Sequence, residues 1–187
     1  MIIEQVDYQH FFKPIVRPNW DEYFIQMLDI IKLRSCDCNT QVGAILVDEK
    51  HRIIGTGYNS FPSGVQDNKI PNYRPSDCLD SPKYLRIIHA EINAICNRVR
   101  YDNNKLTAYI SIPPCQNCLN CICQNNVKRI VVKDNTYKVC KTNEEQYEYD
   151  DTLRQSNIQL ETLTQKYEQF TLESKFGWKT EYRWVDK

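Results

Sequence analysis

The sequence predicts an α/β fold: a mixed five-stranded sheet with helices on both faces, a three-layer α-β-α arrangement. Three observations predict it. A helical apolar pattern is followed by two short apolar runs joined by a tight turn, and helix and strand patterns then alternate to residue 163. Alternation of this kind argues for a sheet covered by helices. The chain has 187 residues, 41% hydrophobic and 26% charged, which suits one domain able to bury a core without staples.

Residues 1–18 read as an N-terminal arm, with Pro14 and Pro18 opposing regular structure. The domain itself is expected over 19–163. Asn19 caps the first helix and Glu22, three residues on, completes a capping box. Trp20, Tyr23, Phe24, Met27, Leu28 and Ile31 recur at helical spacing as its core-facing stripe. Strands are expected at 41–48 and 52–57, with Glu49-Lys50-His51 as the turn between them. Residues 58–82, rich in Pro, Asn, Asp and Ser, form a long loop of the kind usually reserved for function.

A helix is expected over 89–99, with Ala90, Ile92, Ala94 and Ile95 packing inward. A strand covers 106–112, and Pro113-Pro114 ends it and launches a helix over 115–125. A strand at 129–133, a helix at 143–155 and a strand at 158–163 complete the domain. Residues 164–187, with Trp178 and Trp184, form a C-terminal extension without a predicted placement.

Charge narrows the partners. The 24 Lys and Arg balance the 24 Asp and Glu, and the basic residues are scattered. A protein that grips a phosphate backbone usually carries a basic stripe, so nucleic acid is disfavoured as a partner. No apolar run reaches a membrane span, and the N-terminus lacks the pattern of a secretory signal, so a cytoplasmic setting without membrane partners is expected. Nine cysteines in a reducing compartment point to metal or catalysis rather than disulfides.

The chemistry gathers at His89-Ala90-Glu91 and Pro114-Cys115-Gln116-Asn117-Cys118. Imidazole and thiolate are zinc ligands, and three of them leave the fourth position open for water, as a catalytic site requires. Cys115 and Cys118 are three apart, so one helical turn sets both thiols on one face, and the helix N-terminus favours their thiolate form. Glu91 is not a ligand; a carboxylate beside metal-activated water takes its proton and later delivers it. H-x-E followed by P-C-x-x-C is the known pattern of zinc nucleobase deaminases.

Other metal arrangements compete. Cys115, Cys118, Cys121 and Cys123 could form a closed four-thiol site, but Cys121 and Cys123 fall mid-helix and are expected in the core. Cys36, Cys38 and Cys78 are a weaker candidate for a second metal, and His51 reads as an exposed turn residue. A thioredoxin-like role for Cys115 and Cys118 would need no HxE upstream.

The segments RPNWDEYF (17–24), LRSCDCNTQVGAILV (33–47), IIGTGYNSFPSG (53–64), HAEINAI (89–95) and PPCQNC (113–118) together resemble the deoxycytidylate (dCMP) deaminase family. The resemblance implies the cytidine-deaminase-like fold, Zn2+ held by His89, Cys115 and Cys118, and hydrolysis of dCMP to dUMP and ammonia with Glu91 as proton carrier. It implies substrate contacts at Arg34 (phosphate), Asn59 (nucleoside), Ala90 (pyrimidine) and Tyr137. It further implies a hexamer activated by dCTP with Mg2+ and inhibited by dTTP, through a loop here spanning Asn59, Ser60, Phe61 and Gly64. Ser60 stands where the family pattern GYNGxPxG has glycine, so a positive φ at that position would put the effector site in doubt. Two other functions compete: a tRNA adenosine deaminase, which shares both motifs but expects a basic surface, and a zinc module without turnover.

Overall fold

Helix α1 (Trp20–Lys32) begins at the cap the sequence encodes. The Asn19 side chain accepts a hydrogen bond from the Glu22 N–H at 2.9 Å, and the Glu22 carboxylate accepts from the Asn19 N–H at 2.8 Å. The computed structural model describes residues 17–65, 85–99 and 105–163, and the backbone alone of 169–173 and 179–183. The expected arm therefore lies outside the described residues except for Arg17 and Pro18.

After α1 come β1 (Gly43–Asp48), β2 (Ile53–Tyr58), α2 (Ala90–Cys96), β3 (Leu106–Ile110), α3 (Gln116–Gln124), β4 (Val127–Val132), α4 (Asn143–Gln155) and β5 (Gln159–Thr162). The five strands form one mixed sheet in the order β2-β1-β3-β4-β5. β1 pairs antiparallel with β2 and with β3, whereas β3, β4 and β5 run parallel. Parallel neighbours need crossovers, and α3 and α4 supply them. The fold class matches the expectation.

Alternation along the central strands separates two cores. Ile45, Val47, Tyr109 and Val131 face α1, packing on Phe24, Ile25 and Leu28. Ala44, Leu46, Ala108, Ile110, Ile130 and Val132 face the other way, onto Ala90 and Ala94 of α2, Leu119 and Ile122 of α3, and Tyr149 of α4. Covering both faces explains why β1 is buried at all six positions instead of alternating with polar residues.

Two expectations are corrected. Trp20 and Tyr23 do not join the core; they are 52% and 44% exposed, and Ile25 takes an inward position instead. Trp20 covers the β1–β2 turn, its ring stacked on His51 at 4.5 Å. Helix α2 stops at Cys96 rather than running to residue 99, because the chain leaves it to satisfy β2. The N–H of Val99 donates to the Ile54 carbonyl at 2.9 Å, Asn97 Nδ2 to Thr56 O at 3.0 Å, and Asn93 Nδ2 to Tyr58 O at 2.8 Å. Those carbonyls lie along the edge strand of the sheet, so these bonds also protect an otherwise open edge. The C-terminal extension, which had no predicted placement, contains a hairpin, β6 (Gln169–Glu173) paired antiparallel with β7 (Lys179–Arg183). Trp178 and Trp184 lie outside the described residues.

Carboxylates tie this scaffold together. Arg129 on β4 donates to both oxygens of Asp21 on α1 at 2.7 and 2.8 Å, and the Tyr109 hydroxyl donates to the same carboxylate at 2.7 Å. The Arg129 guanidinium holds the Asp21 carboxyl below its usual range. Burial pushes Asp48 upward, but bonds from the Arg52 side chain and the backbone N–H groups of Arg52 and Lys50 outweigh it, so Asp48 is also held low. Groups depressed on folding contribute stability above their unfolded value of 3.8, and that stability is lost as pH falls through the folded value. Urea unfolding midpoints are expected to drop steeply below about pH 4, and Asp48→Asn to cost about 1–3 kcal/mol near neutrality while flattening the acid limb. An acid limb unchanged in that variant would show that Asp48 plays no part in it.

Candidate metal centre

His89 and Cys115 occupy equivalent places, each the extended residue immediately before a helix: His89 before α2 (φ −68°, ψ 154°) and Cys115 before α3 (φ −68°, ψ 166°). Neither side chain caps its own helix, so both project into the space between the two helix starts. Cys118 follows within the first turn of α3 and is buried. Pro113 and Pro114 turn the chain from the end of β3 into α3, which sets the thiols at the carboxyl ends of the parallel strands, where open α/β sheets bind ligands.

His89 Nδ1 lies 3.5 Å from Cys115 Sγ and 3.3 Å from Cys118 Sγ. All three donor atoms fall within 4.8 Å of one another. Tetrahedral zinc with bonds of roughly 2.0–2.3 Å separates nitrogen and sulfur ligands by about 3.5 Å, so the donor set fits the metal and leaves a fourth position open. Among the described residues this is the one such group of His, Cys, Asp and Glu.

The electrostatics suit ligation. Hydrogen bonding from Cys118, with a further contribution from His89, lowers the Cys115 thiol to about 4 against the opposing effect of burial. The same bond to Cys115, together with burial, raises Cys118, and thiols that ligate a metal give up their protons to it. Contact with Cys115 raises His89. Burial dominates at Glu91, which is 5% exposed, and pushes its carboxyl up despite the neighbouring His89. A carboxyl so placed can both hold and release a proton.

These groups open onto a cleft of about 150 Å³. Of the expected substrate residues, Asn59, Ala90 and Tyr137 line it together with His89, Glu91 and Cys115. Arg34 does not; its guanidinium lies over the Tyr58 ring at 5.9 Å. Ser60 forms a β-bridge with Ile88, next to His89, and its hydroxyl accepts from Asn93 Nδ2 at 3.1 Å. The non-glycine residues with positive φ among those described are His51, Asn126 and Asn157, so Ser60 is free of the strain that a glycine there would have relieved. Phe61 is buried, and Gly64 takes φ 87° in open space.

Cys121 is exposed, correcting its expected core position: it sits about 100° around the helix from the inward Ile122. Cys123 is half-buried against the core, as expected. Cys38 is exposed and contacts the Asn39 side chain at 3.1 Å, and Cys78 lies outside the described residues. His51 is exposed, as read from the sequence. The cleft also has members that sequence reasoning missed, chiefly Asp37 and Thr40. The signal for them was an aspartate between a helix and a strand, a residue whose side chain makes an Asx turn by accepting from the backbone N–H two residues on.

One imidazole and two thiols, delivered by two helix starts at one end of a mixed sheet, form a three-donor group that could hold a metal ion, with a buried carboxylate in the same cleft. The chain belongs to the cytidine and deoxycytidylate deaminase zinc-binding family, which it matches over residues 18–134. It is 35% identical over 118 residues to human deoxycytidylate deaminase, covering 63% of this chain and 66% of the human one. The matched region thus spans just under two thirds of that relative's length. It is 34% identical over 125 residues to deoxycytidylate deaminase of Mycobacterium phage D29, covering 62% of this chain and 94% of the phage protein. The fold is similar to that of dCMP deaminase from cyanophage S-TIM5, solved in complex with dCMP and dUMP (TM-score 0.60, 21% identity, 80% of this chain and 100% of that one).

Proposed function

We propose that this chain hydrolyses dCMP to dUMP and ammonia, supplying dUMP for thymidylate synthesis. The observation that carries the reading is the 3.3–3.5 Å His89–Cys115–Cys118 cluster with buried Glu91 in the same cleft. Zinc, when bound by these three residues, supplies a Lewis acid that makes water a nucleophile near neutral pH. Glu91 accepts a proton from the attacking water and returns it to N3 of the pyrimidine. It then takes the proton of the new C4 hydroxyl and passes it to the amine as C4=O forms and the C4–N bond breaks, so that one water is consumed and one ammonia leaves. Burial of Glu91 keeps bulk solvent from competing for that proton. Ala90, at the foot of α2, offers backbone groups to the pyrimidine edge, while Val42, Ile87 and Ile112 provide apolar wall for its faces.

The finer reading follows the family: dCTP as an additional substrate, activation by dCTP with Mg2+ and inhibition by dTTP at the 59–64 loop, a hexameric assembly and a cytoplasmic setting. Among the described residues no helix is long and apolar enough to cross a membrane. The deciding experiment follows ammonia release by the zinc-loaded protein from dCMP, dCTP, deoxycytidine and a tRNA adenosine substrate, with and without each effector. Turnover of dCMP that rises with dCTP and falls with dTTP supports the whole reading. No turnover of any cytosine nucleotide overturns it.

A further inference from the structure

Ser60 has no part in the deamination chemistry, yet it is bonded to the chain on both sides of the donor His89. On the near side, Ser60 and Ile88 exchange both backbone hydrogen bonds. The Ser60 N–H donates to Ile88 O at 3.1 Å, and the Ile88 N–H donates to Ser60 O at 2.8 Å. On the far side, the link runs through Asn93. Its N–H donates to the His89 carbonyl at 3.0 Å, closing the first turn of α2. Its side-chain Nδ2 donates to the Ser60 hydroxyl at 3.1 Å and to Tyr58 O at 2.8 Å. An amide nitrogen carries two hydrogens, so both are engaged by the segment that follows β2.

His89 needs such support. It stands just before a helix of seven residues and makes no capping bond to it. So short a helix has little stability of its own, and its start is placed by what packs and bonds around it. Metal ligands tolerate displacements of only about 0.2 Å. Of the contacts that brace His89, the one carried by a side chain on the 58–60 segment is the Ser60 hydroxyl. Alanine there keeps the backbone bridge to Ile88 and loses the bond to Asn93.

We propose that Ser60 is a positioning residue of the metal centre. Its backbone, through Ile88, and its hydroxyl, through Asn93, hold His89 at the separation from Cys115 and Cys118 that a metal ion requires. This deepens the reading of the three-donor group and rests on it.

The test is zinc affinity, measured by competition with a chromophoric chelator. Ser60→Ala is expected to bind zinc about three- to tenfold more weakly, the worth of one hydrogen bond. Ser60→Thr keeps the hydroxyl and restores the wild-type affinity. Asn93→Ala weakens binding further, since the bond to Tyr58 O goes too. Adding Ser60→Ala to Asn93→Ala then changes nothing more, because the two residues act through one bond. Cobalt substitution reads the donor geometry without turnover: the thiolate-to-cobalt absorption band shifts in Ser60→Ala and returns in Ser60→Thr. A side chain with a merely structural role would lower the melting temperature of metal-free and zinc-loaded protein alike and leave affinity and spectrum unmoved. That result overturns the proposal, and additive losses in the double variant overturn the route through Asn93. A wild type that binds no zinc overturns the reading of the donor group itself.

Discussion

Glu91→Gln is expected to lower kcat for dCMP by about 10²–10⁴-fold while leaving the zinc content and the fold unchanged. Glutamine has the same shape and keeps a hydrogen-bonding head, so the buried position in the first turn of α2 stays filled. What it lacks is a proton to exchange. The ligands His89, Cys115 and Cys118 are untouched, and zinc stoichiometry by atomic absorption separates a chemical defect from a metal defect. KM for dCMP should change little, because Glu91 acts on charge that develops only as the reaction proceeds. A variant that deaminates at the wild-type rate would remove Glu91 from the mechanism and favour a zinc module whose carboxylate is merely packed.

The site was legible in the sequence because its groups belong to short local patterns. His89 and Glu91 are two apart, Cys115 and Cys118 three apart, and each pair sits at a helix start that a neighbouring proline or apolar run announces. The capping box at Asn19 was legible for the same reason. What escaped depends on contacts between distant segments. Trp20 reads as core from its spacing, yet stacking on His51 holds it at the surface. The end of α2 is set by carbonyls of β2 some 40 residues earlier, the Asn97–Thr56 bond spanning 41 positions. Asn59 lines the cleft, and only the folded chain reveals that its amide also engages Val42, Thr40 and Asp37. Asp37 and Thr40 carry an Asx-turn pattern, which predicts a turn but not the cleft it lines.

Gly57→Ala is the second substitution with a large expected effect, and it acts without touching a site residue. A Cβ at Gly57 would lie 2.2 Å from Ala90 O, 2.3 Å from Ala94 N and 2.9 Å from Asn93 C. All three are backbone atoms of α2, so no rotamer change relieves the clash. Ordinary carbon contacts begin near 3.5 Å, so α2 must retreat from β2 by about 1 Å. His89 and Glu91 ride on the N-terminal end of that helix, and ligand distances tolerate only about 0.2 Å. The same shift strains the Asn93–Tyr58 bond that joins the helix to the sheet edge. The variant is expected to lose about 1–3 kcal/mol of stability, bind zinc more weakly and lose about 100-fold or more in kcat/KM. Thr56→Ala is the control, since Thr56 sits between the two close-approach glycines with its side chain exposed. It should keep zinc and turnover near wild type, because the carbonyl that receives Asn97 remains. If Gly57→Ala retained both, β2 and α2 would have to part without moving the ligands, and the view that the glycines at 55 and 57 set the position of the metal centre would fail. Their conformational freedom matters less here than their missing side chains: the interior of this α/β sheet brings the helix that carries the chemistry within backbone contact of its edge strand, and only hydrogen fits between them.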